Sequence, residues 1–89
     1  MKQVSQTRQF ARDVKRMRKR GKNLNKLKAI VTKLTKGEPL DPRYRDHPLS
    51  NNWQNSRDCH IEPDWILIYT IEDDYLRLER TGTHSDLFG

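Results

Sequence analysis

The chain has 89 residues, one cysteine and a formal net charge of +6. That length allows a single small domain and leaves no room for a separate regulatory domain or a large enclosed ligand cavity. A lone Cys59 excludes an intramolecular disulfide and suits a reducing, cytoplasmic setting. No apolar run approaches the ~20 residues of a membrane span, and the N-terminus has no signal-peptide core, so no membrane partner is expected.

The charge is divided. Residues 1–45 hold fifteen Lys or Arg and three acids; residues 46–89 hold three Lys or Arg and nine acids. A basic half of this kind attracts a polyanion, either nucleic acid or an acidic protein partner, and leaves chemistry to the other half.

In chain order, Gln3 to Ser5 reads as a short strand. Thr7 can cap a first helix, from about Thr7 to Arg20, in which Phe10, Ala11, Val14 and Met17 form the apolar stripe and Gly21 the stop. Lys15, Arg16 and Lys19 fall largely off that stripe and are candidate phosphate contacts. Asn23 can cap a second helix striped by Leu24, Leu27, Ile30, Val31 and Leu34 and ended by Gly37 and Pro39. The pair makes a helical hairpin over about residues 7–36. Residues 37–51, with three prolines, read as an ordered loop, and Asn51-Asn52 as a turn.

Antiparallel strands are expected over about residues 53–81. The first, Trp53 to Ile61, shows poor alternation. Trp65 to Ile71 is the apolar, β-branched and aromatic run of a strand buried on both faces. Glu72-Asp73-Asp74 turns into Tyr75 to Arg80, with Leu76 and Leu78 on one face and Tyr75, Arg77 and Glu79 on the other. Gly82 breaks that strand and frees the backbone to redirect it; residues 82–89 form a terminal turn. Helices followed by strands predict an α+β domain, with the helical hairpin on one face of a small, mainly antiparallel sheet.

Candidate chemistry gathers in the second half. His47, His60 and His84 lie in the polar loop or at strand ends, and none sits on an apolar stripe. A hairpin of the last two strands brings them together with Asp58, Glu62, Asp64 and Arg80. Histidine is the side chain whose unperturbed pKa suits proton transfer near neutrality. His47, His60, His84 and Asp64 are also zinc ligands by type. The recognised ligand spacings are absent, so no metal and no cofactor is expected.

Three segments, Asp46-His47-Pro48-Leu49, Arg57 to Tyr69, and Glu79-Arg80-Thr81-Gly82-Thr83-His84-Ser85-Asp86-Leu87-Phe88, resemble the YafQ toxins of the RelE/ParE superfamily over nearly the whole chain. The resemblance implies a RelE-like α+β fold and a type II toxin that cuts mRNA on the ribosome without metal. It also implies a cognate antitoxin as partner, and a site made of His47, His60, Asp64, Arg80, His84 and Phe88. In such a reaction the substrate's 2′-hydroxyl attacks, one histidine removes its proton and another protonates the leaving 5′-oxygen. Arg80 neutralises the phosphate, Asp64 orients a histidine or raises its pKa, and Phe88 offers a stacking face. His84, between Arg80 and Phe88, is the expected acid, with His47 or His60 as base. Lys15, Arg16 and Lys19 would hold ribosomal RNA. Two alternatives remain at this stage. ParE-like relatives inhibit gyrase without catalysis, and a basic RNA-binding module would explain the helices but not the histidines.

Overall fold

The computed structural model describes residues 1–49 and 55–89. Its elements are β1 (Gln3–Gln6), α1 (Arg8–Lys19), α2 (Leu24–Thr35), a 3₁₀ turn (Pro42–Tyr44), β2 (His47–Pro48), β3 (Ser56–Glu62), β4 (Trp65–Ile71), β5 (Tyr75–Gly82) and α3 (His84–Phe88). Both long helices begin where a side chain replaces a missing carbonyl: Thr7 Oγ1 accepts the Phe10 amide and Asn23 Oδ1 the Asn25 amide. Each ends one residue before or after its expected bound. Gly21 and Gly37 follow at φ +84° and +73°, in the left-handed conformation that stops a helix at little cost in glycine.

The strands form one five-stranded sheet in the order β1-β5-β4-β3-β2. Its centre is antiparallel, and β1 lies parallel to β5 at one edge. β4 is the middle strand, and Trp65 to Thr70 are all buried. Phe10 and Met17 of α1, with Leu27, Ile30 and Leu34 of α2, pack as one core with Cys59, Ile61, Trp65, Leu67, Tyr69, Leu76 and Leu78. Those strand positions alternate, so both helices cover one face of the sheet.

The sheet differs from the expected three strands. The loop after Gly37 contributes a 3₁₀ turn and the two-residue strand β2, which exists because His47 and Pro48 pair with Asp58 and Arg57. β3 runs Ser56–Glu62; Trp53 and the Asn51-Asn52 turn lie outside the described residues. The C-terminal segment is a short helix rather than a turn.

Candidate functional site

The face of the sheet away from the helices carries the titratable groups in two rows. The registers set His47 opposite Asp58, Asp58 opposite Ile68, and Ile68 opposite Arg80; the next row is His60, Ile66 and Gly82. Arg80 reaches this face through a bulge. Ile68 pairs with Arg80 and Tyr69 with Leu78, so Glu79 is an extra residue. Without it, Arg80 would point into the helical core like Leu76 and Leu78.

His47 is held from both sides. Its neighbour Asp46 accepts hydrogen bonds from the Tyr69 hydroxyl and, at 3.3 Å, from Arg57 Nε, which pins the loop to the sheet. His47 Nε2 lies 2.8 Å from Asp58 Oδ1, although that oxygen has no aligned hydrogen bond. Burial raises the Asp58 carboxyl above its usual range, against the opposing pull of His47. His47 Nδ1 is 3.1 Å from the Pro48 carbonyl and His60 Nδ1 is 3.2 Å from that of Pro63. A carbonyl only accepts, so in both rings Nδ1 carries the proton. That leaves Nε2 as the His60 ring atom that can exchange a proton.

His84 belongs to the tail. Asp64 Oδ1 accepts from the His84 amide at 2.9 Å and contacts its Nδ1 at 2.7 Å. The amide bond and then the ring hold the Asp64 carboxyl below its usual range. α3 is shaped by a reciprocal cap: Thr83 N donates to Asp86, and Asp86 N donates to Thr83 Oγ1. Arg20 grips Asp86 with both terminal nitrogens, at 2.6 and 3.1 Å, and keeps that carboxyl ionised well below the usual range. Gly82 serves closeness rather than a special dihedral, because a Cβ there would stand 2.9 Å from Asp86 Cβ. The His60 and His84 rings are 5.5 Å apart and tilted by 56°; His84 and Phe88 are 6.2 Å apart.

Arg80 is aimed by Asp13, a fully buried carboxylate on α1. Asp13 accepts from Arg80 Nε at 2.7 Å, the Thr81 amide at 3.1 Å, Arg16 at 3.0 Å and Gln9 at 3.0 Å. Among the described residues, Arg80 Nη1 has no such partner and remains available to an anion.

The family model described as "Bacterial toxin of type II toxin-antitoxin system, YafQ" matches residues 2–89. The chain belongs to the YafQ family of bacterial toxins. An Escherichia coli mRNA interferase toxin YafQ is 55% identical over 82 residues, 91% of this chain and 89% of that protein. YafQ in the crystal structure of the E. coli DinJ–YafQ complex superposes with a TM-score of 0.93 at 50% identity, each chain covered completely. A metal-bound toxin from Helicobacter pylori gives a TM-score of 0.93 at 38% identity, over 99% of this chain and 100% of that one.

Within this YafQ fold, His47, His60, Asp64 and His84 do converge. Arg80 shares their face two strands from Asp58, roughly 10 Å by strand spacing. Phe88 is 47% exposed beside His84, and Trp65 is core. Lys15 and Lys19 point to solvent. Arg16 does not: it bonds Asp13 and lies 3.9 Å from Asp86, so it braces the site more than it offers a free cation.

Asp58 and Asp13 are absent from the residues that the resemblance assigns to the site. A signal for Asp13 existed, since it is the sole acid among the first 37 residues and sits at helical spacing with Phe10 and Met17. His47, Asp58 and His60 also place one ligand atom each within 4.8 Å of one another. With the unpartnered Asp58 oxygen, this donor set fits a divalent cation, which the missing sequence spacings had argued against.

Proposed function

We propose that this chain is a ribosome-dependent mRNA endonuclease held in check by a cognate antitoxin, working in the cytoplasm. The observation that carries the reading is the juxtaposition of His60 and His84 with differently arranged proton partners, on one face with Arg80. His60, whose Nδ1 donates to the Pro63 carbonyl, turns Nε2 to the 2′-hydroxyl and takes its proton. The 2′-oxygen attacks the adjacent phosphorus and the bond to the 5′-oxygen breaks. His84, held through Nδ1 by Asp64 Oδ1 at 2.7 Å, donates its Nε2 proton to that leaving oxygen. The products are a 2′,3′-cyclic phosphate and a free 5′-hydroxyl. Arg80, turned by Asp13, balances charge on the phosphoryl oxygens.

The outward cations of α1, Arg8, Arg12, Lys15 and Lys19, are exposed and suit ribosomal RNA phosphates, a salt-sensitive and sequence-blind contact. The same basic surface suits an acidic antitoxin segment, as the E. coli DinJ–YafQ complex suggests by analogy. Among the described residues no helix is long and apolar enough to cross a membrane.

A second reading of the centre follows from the His47–Asp58–His60 donor set and the metal-bound H. pylori relative. Those three residues would hold a divalent cation that acts as a Lewis acid toward phosphate oxygen. The acid–base reading is preferred because it also uses His84 and its Asp64 partner, which the three-residue donor set leaves without a role. One experiment tests the function. Cleavage of message on translating ribosomes is measured with chelator and compensating Mg²⁺, beside gyrase supercoiling. Chelator-resistant cleavage with unaffected gyrase is expected. Gyrase inhibition without cleavage would overturn the assignment, and chelator-abolished cleavage restored by one equivalent of metal would favour the second reading.

A further inference from the structure

A groove of about 700 Å³ opens beside the catalytic cluster, between the 3₁₀ turn, the start of α2 and the β3–β4 turn. His60 lines its near end and Ile61 part of its floor; Lys26, Arg43, Tyr44 and Arg45 complete the features that matter. Glu62, the one acid among the lining residues, is already paired with Lys22 and Lys26 at 2.8 Å each. That leaves Arg43 and Arg45, which pair with no acid among the described residues, as the groove's free positive charge, and the groove adjoins the residue assigned as base.

Two features show that its wall is preformed. The Arg43 guanidinium lies over the Tyr44 ring, 4.8 Å from the centroid, and is tethered by Nη2 donating to the Tyr44 hydroxyl at 2.8 Å. Tyr44 itself packs against the core, and Asp41 caps the turn by accepting the Arg43 amide at 2.9 Å. A guanidinium fixed on one side by an aromatic ring keeps its other plane for a second flat partner. Arg45 holds φ +50° and ψ +47°, a left-handed conformation that is costly for a residue with a Cβ. Such strain is tolerated where the surrounding structure overdetermines it, characteristically at ligand-binding positions.

We propose that this groove binds the nucleotide of single-stranded message next to the scissile phosphate. Its base stacks on the Arg43 plane and its phosphate meets Arg45. Unstacked bases in RNA recognition settle on guanidinium planes as well as on aromatic faces. The groove is continuous with His60, so a base there stays on the strand whose 2′-hydroxyl His60 activates. The inference rests on the ribonuclease reading and adds to it a subsite that reads a flanking nucleotide.

The test is single-turnover cleavage on ribosomes programmed with messages that vary the nucleotide on either side of the cut. The parent is compared with Arg43→Ala and Arg43→Lys, both at an exposed position. Arg43→Ala should lose about tenfold in kcat/KM, in the range of a lost base-stacking contact, and unequally among the four flanking nucleotides. Arg43→Lys, which keeps the charge without the plane, should restore little. 2-Aminopurine placed beside the cut, in a message with a 2′-deoxy nucleotide at the cleavage position, should be quenched by the parent and not by Arg43→Ala. The subsite is overturned by parental rates in every context, by an equal loss in all of them, by full rescue with lysine, or by a defect confined to antitoxin affinity. A parent that cleaves no message would instead overturn the ribonuclease reading, and the subsite with it.

Discussion

Two histidine–carboxylate pairs sit in this site at nearly equal distance, 2.8 Å for His47–Asp58 and 2.7 Å for His84–Asp64. Their surroundings are opposite. The Asp58 side chain is 5% exposed and that of Asp64 66%. Burial pushes the first carboxyl up, while hydrogen bonds from His84 hold the second down. Asp64 holds both the amide and the ring of His84, the residue proposed as proton donor. The buried Asp58 instead holds His47 against the sheet beside His60, the residue proposed as base. Contact type alone does not assign roles; solvent access around each carboxylate does.

The strongest way to break the contrast is to remove the donor. His84→Ala should cut single-turnover cleavage on programmed ribosomes by roughly 10²–10⁴-fold, the range for one acid–base group, with folding and ribosome binding nearly unchanged. A substrate with a sulfur leaving group, which needs no proton, should rescue His84→Ala and fail to rescue His60→Ala. Rescue of both, or of neither, would end the division between acid and base.

Arg80 works between the pairs and depends on a third carboxylate. Asp13→Asn should cost roughly 10²-fold in kcat if misplacement of the guanidinium by about 1 Å is what it causes. It should also destabilise by about 3–5 kcal/mol, because a buried ion pair loses one partner. A purely structural role would leave the kinetic effects of Asp13→Asn and Arg80→Gln additive. The geometry predicts instead that the double variant is little worse than Arg80→Gln alone.

Much of this molecule was legible before the fold was known, and the exceptions have physical reasons. α1 and α2 follow from apolar stripes at helical period, and β4 from an unbroken apolar run. β3 read poorly because Ser56, Asp58 and His60 share the face that carries the site, so its buried positions are polar. β2 has no local signal, since its two residues are a strand only through pairing with β3. The Glu79 bulge was hidden because Glu79 and Arg80 are both polar, and alternation cannot show which one is inserted. The convergence of three histidines followed from hairpin logic. The different fates of Asp58 and Asp64 did not, because burial belongs to the assembled sheet. Arg16 looked like a free cation and proved to be a brace for the same reason: its partners come from its own helix and from the tail.

A smaller perturbation sharpens the tail pair. Asp64→Asn keeps an acceptor for the His84 amide and removes the charge. The pair is exposed and screened by solvent, so the rate near neutrality should fall no more than roughly fivefold. The direction is more telling than the size. Removal of the negative charge beside the proposed acid should move the alkaline limb of the pH–rate profile to lower pH. An unmoved limb would show that Asp64 orients His84 without tuning it.

The smallest expected effect concerns stability at the buried pair, and its sign is diagnostic. Asp58 titrates in the native state above the ~3.9 of an unfolded chain. Between those two values the native protein holds a proton that the unfolded chain has released, so stability falls as pH rises through that window. Above it, the parent carries a buried carboxylate whose desolvation exceeds the help from His47. Asp58→Asn cannot ionise and escapes that cost. It should therefore melt at the same temperature as the parent or a few degrees higher at neutral pH, where about 1 kcal/mol corresponds to roughly 4–8 °C in a domain of this size. The advantage should shrink as pH falls through that window and be gone below ~4, where the parent's carboxyl is protonated in both states. Melting curves of the two proteins across that range decide the matter. A variant less stable than the parent at neutral pH would mean that the His47–Asp58 ion pair is net stabilising, and the contrast between the two pairs would then have to rest on His84 alone.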